Sequence, residues 1–270
     1  MPDPVPDDVT DFLSAYDSQL RTDAEVVNAA SVTRLGPLLV ARYPGGRGFV
    51  TYRDLQVSDA QQASRRVRDA LALLLEEPRC TEIEWKTRGH DRAPGLEDAL
   101  RAHGFAPDEP ESIMVGRLEA LMDGAPLLGG VTLRRITEGA DVRAMCAMAE
   151  EAFGRSAGPR HSDVLLARIA AGDPMQLWVA ETEGRFVSCG RLEPVEGTDF
   201  VGLWGGATLP GYRHRGIYRA LTAARAQAAR AAGYSFVHSD CTEFSRPILE
   251  RSGLVRVSST TPFIWRKADA

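Results

Sequence analysis

The stretch FVGLWGGATLPGYRHRGIYRALTAARAQAARAAGY, residues 200–234, does most to limit what this chain can fold into. Phe200–Thr208 is apolar and rich in small residues, the character of a buried central strand. Gly205-Gly206 within it marks a bulge, or a place where another backbone or a ligand comes close. Pro210 and Gly211 end the strand. Beyond Gly216, residues Ile217, Leu221, Ala224, Ala228 and Ala231 recur at helical spacing until Gly233 stops the helix. A buried strand running into a long helix is a unit of an α/β fold, because each element covers the other's apolar face. The loop RHRG therefore lies at a helix N-terminus. Unpaired amides and the positive end of the helix dipole make such a place a ready phosphate site. Gly216 lets a phosphate approach the backbone, and Arg213 and Arg215 add charge-assisted hydrogen bonds. His214 faces either the same anion or solvent. A solvated basic loop is the other reading of the same residues.

The rest of the chain repeats the alternation of strand and helix. A helix is expected over Asp8–Leu20, then strands in LGPLLVARY and RGFVTYRDL joined by the turn PGGRG. DAQQASRRVRDALALLLEE follows as an amphipathic helix, with Val67, Leu71, Leu74 and Leu75 on one stripe and Asp59 near its start. TEIEWKT, GLEDALRAHG and ESIMVGRL read as strand, helix and strand. A second series opens with VTLRRI and ADVRAMCAMAEEAFG and closes with helix SRPILERSG and strand TPFIW. The two endings resemble one another: DALRAHGFAPDEPESIMVGRL lies on PILERSGLVRVSSTTPFIWRK without a gap, Gly104-Phe105 falling on Gly253-Leu254. Closure of any αβ unit looks similar; the preferred reading is a tandem of two related modules. The expected division is residues 1–120, a connector over 121–130, and residues 131–270. The fold class is α/β, a mixed central sheet flanked by helices.

Composition removes several alternatives. A formal charge of −5 and a pI near 5.6 argue against nucleic acid or acidic lipid as partner. The cysteines Cys80, Cys146, Cys189 and Cys241 are widely spaced, with no CxxC pair and no histidine at metal spacing, so neither a disulfide framework nor a zinc site is expected. The start MPDPVPDDVTDF is acidic and proline-rich, unlike a signal peptide, and no apolar run approaches the roughly 20 residues that span a bilayer. A cytoplasmic protein with no metal is expected. GxxxxGK[ST] and HExxH are absent, as is a set of three spaced glycines.

The basic loop resembles the signature of the GNAT N-acetyltransferase superfamily, [Q/R]-x-x-G-x-[G/A]: Arg213 matches the first position, Gly216 the glycine, and Tyr218 stands where Gly or Ala is usual. TEFSRPILERSGL resembles the family's N-x-x-A-x-x-L-Y-x-x-x-G-F, with Thr242 on the Asn, Ser245 on the Ala, Ile248 on the Leu, Leu249 on the Tyr and Gly253-Leu254 on the Gly-Phe. The resemblance covers Val131 to Trp265. It implies that acetyl-CoA lies where the FVGLWGGAT strand splays from SFVHSDC. Amides near Ala207, Thr208 and Leu209 would hold the pantetheine arm, one of them serving as oxyanion donor. Arg213, His214, Arg215, Gly216, Ile217, Tyr218 and Arg219 would hold the diphosphate, with Thr242 and Ser245 completing the site. Tyr218 would then be near the diphosphate and too far from the sulfur to act on it.

The resemblance also implies acetyl transfer to a primary amine of a small molecule or peptide, without a covalent enzyme intermediate. The family's tyrosine acid falls on Leu249, so Ser245, Thr242 and Cys241 are the remaining candidates for that role. Glu193 and Asp240, at strand ends, are candidate bases; both also read as solvated termini. Arg155, Arg160 and His161, in the loop between the first two helices of the second series, are candidate acceptor-binding residues or plain surface. His238, Trp178 and Trp204 read as packed strand residues. The first module lacks an arginine-glycine loop and is expected to be degenerate and to bind no CoA; His90 and Asp91 on its loop RGHDRAP read as turn residues. A homodimer is compatible with the sequence. The alternative from another class is a non-catalytic acyl-CoA-binding regulatory protein.

Overall fold

The computed structural model describes residues 9–124, 126–127, 129–154 and 161–267. It divides into two compact units whose boundaries do not follow the chain. Unit 1 takes residues up to Met114, Asp240–Ile248 and the chain from Val255; unit 2 takes Val115–Ser239 and Leu249–Leu254.

Unit 1 opens with helix α1 (Val9–Gln19), then strands β1 (Ser31–Leu35), β2 (Leu38–Tyr43) and β3 (Arg47–Tyr52). Helix α2 (Ala60–Leu75) leads to β4 (Glu82–Arg88), α3 (Leu96–Ala102), the two-residue β5 (Ala106–Pro107) and β6 (Glu111–Arg117), which ends in unit 2. Asp59 caps α2, its carboxylate accepting from the Gln62 amide at 2.8 Å. The apolar stripe of α2 is Ala63, Val67, Ala70 and Leu74; Leu75, expected on it, is exposed. These residues pack with Trp85, Leu100 and Phe263 into one core.

The alternate residues of β4 are Glu84, Lys86 and Arg88, which point away from that core and meet charge instead. Lys86 Nζ lies 2.7 Å from Asp240 Oδ2 and 3.5 Å from Glu25 Oε1. Arg88 pairs with Glu25 and donates to Thr51 Oγ1 at 2.9 Å. His90 and Asp91 are indeed bound into a turn and its surroundings: His90 Nδ1 is 2.6 Å from Ser258 Oγ, and Asp91 Oδ1 is 2.7 Å from the buried Arg21.

Unit 2 comprises β7 (Thr132–Ile136), α4 (Gly139–Phe153), α5 (His161–Ala170), β8 (Gln176–Thr182), β9 (Arg185–Pro194), β10 (Phe200–Thr208), α6 (Ile217–Ala231) and β11 (Phe236–Cys241), the last two residues of which belong to unit 1. Its strand order is β11-β10-β9-β8-β7, antiparallel except for the β10–β11 pair. The helices alternate with strands as expected, and both units are mixed sheets flanked by helices. Val142, Met145 and Met148 of α4 pack with Leu177, Val179 and Val187 of the sheet.

After helix α7 (Arg246–Arg251) the chain closes in β12 (Val255–Arg266), far longer than the segment TPFIW. β12 runs antiparallel to β4, from Thr260↔Arg88 to Arg266↔Glu82, so unit 1 is ordered β1-β2-β3-β4-β12. The last strand of the second series thus completes the first unit. A strand's apolar pattern states that it needs neighbours and leaves open which sheet supplies them.

Candidate acyl-transfer site

The site lies in unit 2, where β10 loses its partners. The parallel pairing of β10 with β11 is confined to Phe200–Gly202 against Phe236–His238. Ser239 Oγ donates to Leu203 O at 2.8 Å and marks the last link. Beyond it the two strands part. On the other edge the register with β9 slips between Trp204 and Ala207, leaving Gly205 and Gly206 out of the ladder. Gly205 adopts φ +59°, a conformation that an L side chain strains to reach. The bulge read from Gly205-Gly206 is therefore present. It exposes backbone in a strand whose other edge is unpaired beyond Gly202.

At Pro210 the chain turns through a short 3-10 turn and enters α6 at Gly216, whose φ of +76° lets the loop fold tightly against the helix end. The first helical bond is that of the Ala220 amide to Gly216 O at 2.9 Å. The amides of Ile217, Tyr218 and Arg219 precede it and point out of the helix end, as first-turn amides do. No Cβ projects from Gly216 to cover them. This geometry fits a diphosphate.

The arginines divide the labour. Arg213 is held by carbonyls, with Nε on Thr208 O at 3.0 Å and Nη2 on Ala152 O at 2.9 Å, so it fastens the loop to the end of α4. Arg219 donates to Asp123 O at 3.1 Å. Arg215 is exposed, lying 5.4 Å over the Tyr212 ring, and His214, at φ +60°, is exposed beside it. The Tyr218 side chain turns toward the strand. Its ring reaches back from the helix to the bulge, so close that a Cβ on Gly206 would fall 2.5 Å from its hydroxyl. Helical spacing does not report where a long side chain lands, so this contact is not legible in the sequence.

A cavity of about 330 Å³ opens on the bulge, lined by Met145, Cys146, Ala149, Glu150 and Phe153 of α4, by His161, and by Cys189–Arg191 and Gly205. Its apolar wall is mostly thioether, thiol and ring. Burial, then the Arg191 charge, push the His161 imidazole below its ordinary 6.5 against an opposing pull from Glu150. Burial pushes the Cys189 thiol up to about 12 and Cys146 upward as well. His161 is thus brought to the bulge, while Arg155 and Arg160 lie outside the described residues.

The proposed carboxylates are otherwise engaged. Glu193 uses one oxygen on Arg191 at 2.8 Å and the other on Arg168 at 3.0 Å. Asp240 is paired with Lys86 in unit 1, to which Thr242 and Ser245 also belong. Leu249, on the family's tyrosine position, is buried in unit 2. His238 stands edge-on to Phe200 and Trp204, with centroids 6.1 and 5.4 Å away, as a packed residue. Among the described residues no group of His, Cys, Asp and Glu is arranged to hold a metal ion, and no helix is long and apolar enough to cross a membrane. The residues missed by sequence reading are the cavity lining on α4 and the buried Arg225; an Ala- and Met-rich helix gives no sign of which face borders a cavity.

A strand with an unpaired edge at a double-glycine bulge, running into a helix whose first-turn amides are uncovered, has the geometry expected for an acyl-CoA site. Residues 142–251 match the model of the acetyltransferase (GNAT) family. Solved structures extend the likeness to the whole length. A GCN5-related N-acetyltransferase from Kribbella flavida is 15% identical over 98% of both chains, with a TM-score of 0.67. A functionally unknown conserved protein from Staphylococcus epidermidis is 13% identical over 91% of this chain and 98% of its own, with a TM-score of 0.68. A tandem GNAT protein from the clavulanic acid biosynthesis pathway is 11% identical over 97% of this chain and 96% of its own, with a TM-score of 0.60. At such identities the likeness is one of fold. Among curated proteins no sequence relative matches.

Proposed function

We propose that unit 2 transfers the acetyl group of acetyl-CoA directly to a primary amine, and that unit 1 is a degenerate module that binds no CoA. The observation that carries this reading is the bulge: β10 loses its β11 partner beyond Gly202 and its β9 register at Gly205-Gly206, Gly205 lines the cavity, and Tyr218 of the first turn of α6 reaches Gly206. The amides of Ile217–Arg219 and the exposed Arg215 hold the diphosphate. The amides of Ala207–Leu209 accompany the pantetheine arm, except that Leu209 N already donates to Val187 O at 3.0 Å, which leaves its neighbours the task. The cavity takes the acceptor. Its apolar lining favours an amine carried on an apolar or aromatic body, and Glu150 supplies the charge that draws the ammonium group in. His161, neutral at pH 7 because its value lies below 6.5, accepts the proton that the amine gives up. Both cavity thiols are held protonated, which favours direct transfer over an acyl-cysteine. Glu193 and Asp240 serve as structural ion pairs instead of bases.

The test is a calorimetric titration with acetyl-CoA, followed by thiol release in the presence of amines running from phenethylamine and tryptamine to spermidine. Gly216→Glu puts bulk and negative charge at the cradle and is expected to weaken binding more than about 100-fold. Gly216→Ala shares the backbone strain and separates it from the charge; a loss below about tenfold is expected there. Equal binding by wild type and Gly216→Glu would place the anion site elsewhere. Binding without turnover on any amine would favour the regulatory alternative.

A further inference from the structure

We propose that Tyr218 is the general acid that protonates the departing CoA sulfur, a role that rests on the acetyl-transfer reading above. The reaction needs such a group, and the position usual for it is filled by Leu249, which has no proton to give. Tyr218 occupies the second position of α6, yet its hydroxyl rests on Gly206, within the part of β10 that is free of ladder partners. Gly206 is what admits it, since any Cβ there would collide with the phenol.

Beneath the ring lies Arg225, fully buried, with Cζ 5.8 Å from the ring centroid. Its guanidinium donates only to neutral oxygens, Leu221 O at 3.3 Å, Arg191 O at 3.0 Å and Thr222 Oγ1 at 3.0 Å, and among the described residues it forms no ion pair. A buried cation without a counter-ion is costly to keep. Here it faces a ring on whose oxygen negative charge develops as the proton leaves, and a fixed charge in a dry site is effective for that purpose. In the step, the amine nitrogen bonds to the carbonyl carbon, the C–S bond breaks and its electron pair goes to sulfur. Tyr218 O–H gives sulfur its proton. The proton that nitrogen loses passes through His161 to water, and the phenolate takes one back from water.

The experiment compares wild type, Tyr218→Phe and Gly206→Ala. Calorimetry with CoA and with desulfo-CoA reads the contact to sulfur; thiol release from acetyl-CoA with the best amine of the panel reads the rate. Tyr218→Phe is expected to keep acetyl-CoA affinity within about twofold, to lose any preference for CoA over desulfo-CoA, and to lower kcat about 100-fold. Gly206→Ala leaves the phenol in the chain but pushes it off the bulge, and a fall of at least about tenfold in kcat is expected. Rates within about threefold of wild type in Tyr218→Phe, or a sulfur preference that survives it, would overturn the assignment while leaving acetyl transfer intact. A wild type that neither binds CoA nor acetylates any amine would remove the acetyl-transfer reading itself, and the acid role with it.

Discussion

Asp240 shows how position in the fold reassigns a side chain. By sequence it ends a strand beside the expected opening; in the structure it is the counter-ion of Lys86, inside a cluster with Glu25 and Arg88. Burial pushes the Glu25 carboxyl up, but Arg88, Lys86 and the hydrogen bond from Thr51 outweigh it and hold the group below its ordinary 4.5. A depressed carboxylate contributes stability above its unfolded value and loses it as pH falls through the folded one. Tm is therefore expected to drop as pH is lowered below about 4. Glu84 and Glu111, raised by burial, act in the opposite direction, so the variant Glu25→Gln is the control. It is expected to lower Tm at pH 7, because Arg88 loses its partner, and to flatten the acid limb of a thermal-melt series. An acid limb as steep as that of wild type would show that Glu25 is not the linked group.

At the scale of elements, ends were more legible than faces. The Asp59 cap of α2 was visible in the sequence because a carboxylate before a helical run has one efficient use. Asp59→Ala is expected to lower the denaturation midpoint with an unchanged slope. The face of α6 was legible only in part. Of the residues at helical spacing Ile217 and Leu221 are buried and Ala231 is exposed, whereas Ala220, Ala223, Ala226 and Ala229 are buried along with Thr222 and Arg225. Alanine suits either environment, so an alanine-rich helix carries little pattern. The bulge was legible because consecutive glycines inside an apolar strand have few other uses. What packs on it was not, since Tyr218 reaches Gly206 only once helix and strand are docked.

For the whole molecule, the order of strands and helices was available from the chain, and the allocation of the closing strand was not. β12 belongs to unit 1, where it covers the edge of β4. Truncation after Leu254 is therefore expected to damage the first unit, although the lost residues come from the end of the second series. Hydrogen exchange should show Glu82–Arg88 losing protection. Retained protection there, with loss confined to β7–β10, would contradict this allocation. The sequence by itself determined the alternation of elements, the bulge, the glycine-led start of α6 and the resemblance they carry, because each depends on residues adjacent in the chain. The tertiary structure alone decided which sheet β12 completes, which carboxylates form ion pairs, that His161 shares a cavity with Gly205, and that Tyr218 reaches Gly206. Those outcomes depend on contacts between residues far apart in sequence, which local pattern does not encode.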